Sequence, residues 1–344
     1  METWVTQMAY SEASMNTLTG KRVLVTGAGG FIGSHLVESL VTGGAKVRAL
    51  VHYNSRNDWG LLESLPKPVM DALEVWTGNI RDPFFVDRLV EGNEVVFHLA
   101  ALIPIPYSYV APAEFVDTNV RGTLHMLEAV RRHEVPRMVH TSTSETYGTA
   151  QYTPIDEKHP LQGQSPYSAS KIGADKMAES YWRSFRTPVV TLRPFNTFGP
   201  RQSARAFLPT VISQMLTGDT VRVGALDPVR DMNFVTDTVD GFLRAGTAAG
   251  IEGLTVNVGS GRGVSMGDLV KIAMNAAGKS PRIETGAERM RPPDSEVMEL
   301  ICDATLAKTK MGWDSRIGLE EGVRRTVEWM AEHLAAYKPH LYNV

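Results

Sequence analysis

One cysteine, Cys302, stands in 344 residues, so no internal disulfide can form and a reducing, cytoplasmic setting is expected. No apolar run approaches the roughly 20 residues that a bilayer-spanning helix needs, so no membrane partner is expected. Neither charge sign dominates: 35 basic against 38 acidic residues leave a formal net charge of −3. Without a basic stripe, nucleic acid is not an expected partner. The nine histidines show no metal-ligand spacing, and no metal is expected. The stretch from Met1 to Thr19 carries Glu2 and Glu12 and lacks a basic start followed by an apolar block. It does not read as a signal peptide. Internal repeats and low-complexity linkers are also missing. The composition that remains, 43% hydrophobic and 21% charged, is that of a globular chain with room for a nucleotide-binding domain and a smaller lobe.

Apolar, β-branched runs alternate with helical stretches through the first half. Strands are expected at Arg22–Thr26, Lys46–Val51, Leu73–Thr77, Glu94–Leu99, Arg137–Ser142 and Val189–Arg193. Helices are expected from Ile32 to Thr42, from Asn119 to Arg132, and again before Val189. This rhythm implies crossover connections and a parallel sheet covered on both faces. Beyond Pro194, prolines at 200, 209, 228, 292 and 293 interrupt shorter elements, which should supply a substrate lobe at the sheet's carboxyl edge.

Gly27-Ala-Gly-Gly30-Phe31-Ile32-Gly33 lies between the first strand and the first helix. Glycines there allow close backbone approach to a pyrophosphate at a helix amino end, where free N–H groups and the helix dipole favour an anion. The second strand ends in Val51-His-Tyr-Asn54-Ser55-Arg56, with no acid where a ribose-binding carboxylate would stand. Arg56 could accept a 2′-phosphate, and Asn54 or Ser55 could bond either dinucleotide, which favours NADP slightly over NAD. A plain solvated arginine is the competing reading. After the third strand, Asn79 could read an adenine edge and Ile80 could pack on its ring.

Ser165-Pro166-Tyr167-Ser-Ala-Ser-Lys171 combines a helix cap, a first-turn proline, and a tyrosine and lysine on one helical face. A neighbouring ammonium would lower the phenol's pKa and let Tyr167 act as a base toward a hydroxyl. At the carboxyl end of an earlier strand, Thr143-Ser144-Glu145 sets two hydroxyls beside a carboxylate where α/β sheets place their chemistry. Such clusters also serve merely to satisfy loop backbone groups.

Gly27-x-x-Gly30-x-x-Gly33, Tyr167-x-x-x-Lys171, Asn119 and Arg193-Pro-Phe-Asn196-Thr-Phe-Gly-Pro200 together resemble the extended short-chain dehydrogenase/reductase superfamily, from about Lys21 to Trp313. The resemblance implies a Rossmann-type doubly wound parallel sheet over residues 21–195. The chain's own rhythm gives a mainly substrate-binding lobe over 196–344, with segments near 235–260 returning to the first domain, and residues 1–20, ahead of the first strand, as a flexible extension. The resemblance also implies a tightly bound NAD(P), held further by Leu99, Ala100, Ala101, Asn119 and Lys171, and a homodimer. Thr143-Ser144-Glu145 resembles the signature of nucleotide-sugar 4,6-dehydratases, whereas the related 4-epimerases usually carry a small residue in place of Glu145. The runs Tyr53–Gly60, Ala150–Glu157 and Gln162–Ser170 are similar to dehydratases of the legionaminic acid pathway, which act on a nucleotide-linked N-acetylglucosamine.

In the cycle so implied, Tyr167 takes the 4-hydroxyl proton while hydride leaves C4 for the nicotinamide, and Thr143 bonds the 4-oxygen. Glu145 takes the C5 proton as the 6-hydroxyl departs, and hydride returns to C6. Ser144 stands where other members carry Asp, leaving open which group protonates the leaving hydroxyl. Asn196, Arg230 and Arg291 match positions that hold the substrate diphosphate, and Asp294 one that binds its ribose; guanidiniums suit phosphate oxygens in pairs. A 4-epimerase and a catalytically silent dinucleotide-binding regulator are the alternatives, the latter having no need of Tyr167, Lys171 and Glu145 together.

Overall fold

The computed structural model describes residue 14 and residues 16–286 and 289–337. Seven strands form the main sheet: β1 (Arg22–Thr26), β2 (Lys46–His52), β3 (Glu74–Gly78), β4 (Val95–His98), β5 (Arg137–Thr141), β6 (Val189–Pro194) and β7 (Thr255–Val258). All pairs are parallel, and the order across the sheet is β7-β6-β5-β4-β1-β2-β3. β4 is buried at every position and β1 at all but its first, as expected of strands covered on both faces. The strand order reverses between β1 and β4, so the chain leaves these neighbours in opposite directions. That opens a crevice at their carboxyl ends, where doubly wound sheets bind ligands.

Four helices bear on the crevice or its supports: α1 (Phe31–Thr42), α2 (Gly122–Arg132), α3 (Pro166–Phe185) and α4 (Val235–Thr247). The helix expected from Asn119 begins differently, because Val116–Arg121 forms a π-helical turn that runs into α2. α4 lies on the main sheet, its Phe242 ring edge-on to Phe97 of β4 at 6.4 Å, and β7 then joins the sheet beside β6. Residues 235–258 therefore share the large core although they follow lobe segments in sequence. At the amino end, Leu18 is buried and the Thr19 hydroxyl donates to the Gly43 carbonyl at 2.7 Å. The packed chain thus starts before Lys21. Apart from Ser14, residues 1–15 of the expected extension lie outside the described residues.

In the smaller lobe, Val229–Phe234 is the hub of a four-stranded sheet, pairing with Asn196–Phe198, Gly263–Ser265 and Glu299–Leu300. Helices Phe207–Thr217, Met266–Ala277 and Leu319–Glu332 pack beside it. No helix among the described residues is long and apolar enough to cross a membrane.

Candidate active site

A cavity of about 800 Å³ runs along the carboxyl edge of the sheet, from His52 and Asn79 past the glycine turn to Tyr167 and Asn196. Its centre is the turn after β1. Gly27 has φ +70, and a Cβ there would lie 2.8 Å from the backbone nitrogen of Ala100. A Cβ on Gly33 would lie 2.2 Å from the Gly27 carbonyl oxygen. Only glycine lets α1 start this close to β1 and β4. The N-cap of α1, Gly30, supplies no side-chain cap, so the first-turn N–H groups of a 12-residue helix face the crevice as anion donors. Leu99, Ala100 and Ala101 form the opposite wall. A dinucleotide pyrophosphate fits this cradle.

Tyr167 and Lys171 sit in the first turns of α3, which starts on the expected Ser165 cap, here a full capping box: the Ser165 hydroxyl accepts from the Ser168 N–H at 3.1 Å and Pro166 fills the first turn. Both side chains are buried and both residues line the cavity. Thr143 caps the short 3₁₀ turn Ser144–Tyr147, which aims Glu145 into the same space. Tyr167 and Thr143 both line this space. Burial raises the phenol's pKa, opposed by the neighbouring Thr143 side chain and reinforced by the Glu145 charge. The expected lowering by Lys171 is therefore corrected. Lys171 Nζ donates to the Thr141 carbonyl at 2.6 Å instead, and burial lowers its own pKa to about 8.

Beneath these residues lies a polar network that the sequence motifs do not reveal. Asp175, one turn beyond Lys171, accepts from His140 Nε2 at 3.0 Å, Ser142 Oγ at 2.5 Å and Arg193 Nη2 at 2.7 Å. The Arg193 guanidinium also lies over the Tyr147 ring, 4.5 Å from its centroid, and the Tyr147 hydroxyl donates to Asn257 at 2.8 Å. Burial alone would raise the Asp175 pKa. The His140 bond and the charges of Arg193, His140 and Lys171 outweigh it and hold the carboxyl far below the ordinary range.

Several residues expected to contact ligand direct their polar groups elsewhere. Asn119 uses both amide hydrogens on Leu102 O and Ser170 Oγ, each at 2.9 Å, and its oxygen on Leu102 N at 2.8 Å. It buckles the loop after β4 to α3 and does not line the cavity. The Asn54 oxygen accepts from the N–H groups of Arg56 and Asp58, both at 3.1 Å, and its amide donates to Asp58 O at 2.7 Å. It shapes a loop whose Arg56 and Asp58 line the cavity, whereas Ser55 does not. Asp58 brings a carboxylate to the cavity lining six residues past the end of β2, an offset that hides it in the sequence. The Asn79 oxygen accepts from Arg81 N at 2.9 Å. Ile80 borders the cavity, but its side chain presses on Gly122 in the core, so it is not a free platform for a ring.

Asn196 lines the cavity and has a buried side-chain oxygen without a partner. Arg230 and Arg291 lie outside the lining but meet beside Glu145, with Arg291 Nη1 4.0 Å from Glu145 Oε2. Burial lowers the Arg230 pKa, partly offset by the charge of Glu145. Asp294 is exposed on the 3₁₀ turn Pro293–Ser295, where its carbonyl accepts from Gln164 at 3.0 Å.

Residues 24–326 match the family model described as GDP-mannose 4,6 dehydratase. A dTDP-glucose 4,6-dehydratase of Actinoplanes sp. is 31% identical over 90% of this chain and 97% of its own length. A UDP-glucose 4-epimerase of Mycolicibacterium smegmatis is 34% identical over 90% of this chain and 98% of its own. Among solved structures, a Streptomyces venezuelae dTDP-glucose 4,6-dehydratase with NAD bound superposes with a TM-score of 0.81 at 28% identity, covering 92% of this chain and 99% of that one. Dehydratases and epimerases match with similar strength, so the likeness does not separate the two activities. The chain belongs to the family of the GDP-mannose 4,6-dehydratase model within the extended short-chain dehydrogenase/reductase superfamily, and is an enzyme of its nucleotide-sugar dehydratase and epimerase branch.

Proposed function

We propose that this enzyme is a nucleotide-sugar 4,6-dehydratase that converts an NDP-N-acetylglucosamine or a related NDP-hexose into its 4-keto-6-deoxy form. The observation that carries the reading is Glu145, whose carboxylate enters the cavity beside Tyr167 and has a side chain only 12% exposed. Elimination across C5 and C6 needs a base at C5, whereas 4-epimerisation needs none.

NAD(P) would be held by the α1 amino end, the Leu99–Ala101 wall and Lys171; when bound, it supplies the hydride acceptor and donor. Tyr167 takes the 4-hydroxyl proton and Thr143 steadies the 4-oxygen. Glu145 removes the C5 proton and, with Ser144 buried beside it and bearing no acid, returns a proton to the departing 6-hydroxyl. Arg230, Arg291 and Asn196 hold the diphosphate. NADP would place its 2′-phosphate at Arg56, and NAD its ribose hydroxyl at Asp58.

Glu145→Gln keeps the shape and removes the base, so formation of the 4-keto-6-deoxy product should fall roughly 10²–10⁴-fold. Reduced nicotinamide should still appear on adding substrate, and wild-type product made in D2O should carry deuterium at C5. The second reading, a 4-epimerase, is favoured by the Mycolicibacterium smegmatis relative. It takes over if the wild type interconverts C4 epimers without losing water and Glu145→Gln does so equally well.

A further inference from the structure

The two arginines beside Glu145 share another partner. Arg230 Nη2 donates to Glu296 Oε1 at 3.2 Å, and Arg291 Nη1 donates to the same oxygen at 3.4 Å. The Glu296 side chain is 17% exposed, that of Arg230 6% and that of Arg291 28%. Two guanidiniums and two carboxylates, Glu145 and Glu296, thus form a formally neutral cluster at the edge of the cavity.

Both bonds to Glu296 are long. Charge-assisted bonds between guanidinium and phosphate settle at about 2.7–2.9 Å and often come in parallel pairs. A single carboxylate oxygen bridging two guanidiniums leaves most of their donors unused; Arg230 places one more on the Val229 carbonyl at 3.1 Å. A diphosphate offers several oxygens and two charges to the same donors. Glu296 itself stands on a tight turn, its N–H donating to the Pro292 carbonyl at 3.2 Å, so the carboxylate can leave by rotating its side chain while the backbone stays.

Resting on the assignment of Arg230 and Arg291 to the diphosphate, we propose that Glu296 is an internal competitor for that group, occupying the same two guanidiniums and setting the affinity for nucleotide sugar. Its negative charge must give way before a diphosphate can take both arginines. Ligands with one phosphate gain less from displacing it, so the residue also discriminates by ligand charge. The acid is a specificity device rather than a catalytic group, since the chemistry at C4 to C6 belongs to Tyr167 and Glu145.

Titration calorimetry with UDP, dTDP and GDP, and with uridine as the phosphate-free control, tests this on the full-length enzyme. Glu296→Gln should bind whichever diphosphate the wild type accepts about tenfold more tightly, the scale of removing one like charge within several ångströms at a protein surface. Raising the salt should shrink that gain, and uridine should show none. Arg291→Ala should weaken diphosphate binding in both backgrounds. If Arg291→Ala leaves binding of all three diphosphates unchanged, the assignment of the arginines fails. If Arg291→Ala weakens binding while folded Glu296→Gln binds no more tightly than wild type, the competitor is overturned and the assignment stands. Should Glu296→Gln not fold, Glu296→Asp carries the test: its shortened carboxylate cannot hold both guanidiniums, so a smaller tightening is expected and none overturns the proposal.

Discussion

The two ends of the cavity are built on opposite terms. At the catalytic end, Tyr167 and Lys171 rest on a floor in which His140, Ser142, Asp175 and Arg193 are all buried and mutually bonded. At the opposite end, beside His52 and Asn79, the loop after β2 carries an Arg56 side chain 82% exposed, 3.4 Å from Asp58 at 43%. The first end positions groups through contacts that no solvent can replace; the second offers charges to water. Close placement is needed where bonds to hydrogen are made and broken. Discrimination between two dinucleotides that differ by one phosphate needs only a difference in charge.

Removing the carboxylate beneath the catalytic end should give the largest effect. Asp175→Ala leaves the Arg193 charge buried without its ion partner, which typically costs about 3–5 kcal/mol. Urea unfolding should show that loss, and Asp175→Asn, which keeps the volume, should recover only part of it. A loss below about 1 kcal/mol, the range of exposed ion pairs, would mean that the two ends are held no differently.

This contrast also explains what could be read from the chain alone. The strand rhythm, the glycine turn and the capped helix bearing Tyr167 and Lys171 are local patterns, set by spacing within a few residues. Asp175 lies four residues past Lys171 on the same helical face. Nothing local marks it, because its partners His140 and Arg193 come from β5 and β6 and meet it only once the sheet is assembled. Asn119 is legible as a residue of interest but not as a buckle, since its bonds reach 17 residues back and 51 forward. Asp58 and Glu296 escape for a related reason. Each acts opposite an arginine, and a carboxylate two or five residues from an arginine looks like ordinary surface charge.

Lys171 gives a smaller and more selective test of the buried end. Burial lowers its pKa from 10.5 in the unfolded chain to about 8 in the fold. Between these values the unfolded chain holds the proton and the folded one has lost it. Stability therefore rises with pH across that window and the contribution is lost as pH falls through about 8. The full span amounts to roughly 3 kcal/mol. Buried tyrosines act in the opposite direction above about pH 10, and the Cys302 thiol, pushed up by burial, does so already from about pH 8.5, so the rise should be read between about pH 8 and 9.5 in dinucleotide-free Cys302→Ala protein. Lys171→Met should flatten it there. A slope that survives the substitution would show that the ammonium is solvated, as at the other end.

The smallest effect is expected at the exposed end, in the choice between NAD and NADP. Arg56 and Asp58 form one weak, solvent-screened pair, so neither substitution should move the melting temperature appreciably. Their influence should appear only in binding. Arg56→Ala removes the cation that faces a 2′-phosphate and should weaken NADP roughly five- to tenfold, the scale of one exposed charge-assisted bond, with NAD nearly unchanged. Asp58→Asn removes a carboxylate that repels the 2′-phosphate and can accept a bond from the free ribose hydroxyl. It should tighten NADP and loosen NAD by a few-fold each. Opposite signs for the two variants, measured by fluorescence titration of the dinucleotide-free enzyme, would show that a pair of opposed charges reads this position together. Equal changes for NAD and NADP in both variants would make the loop a bystander and move the choice to Asn79 and Arg81 across the cavity, which the same titration can then examine.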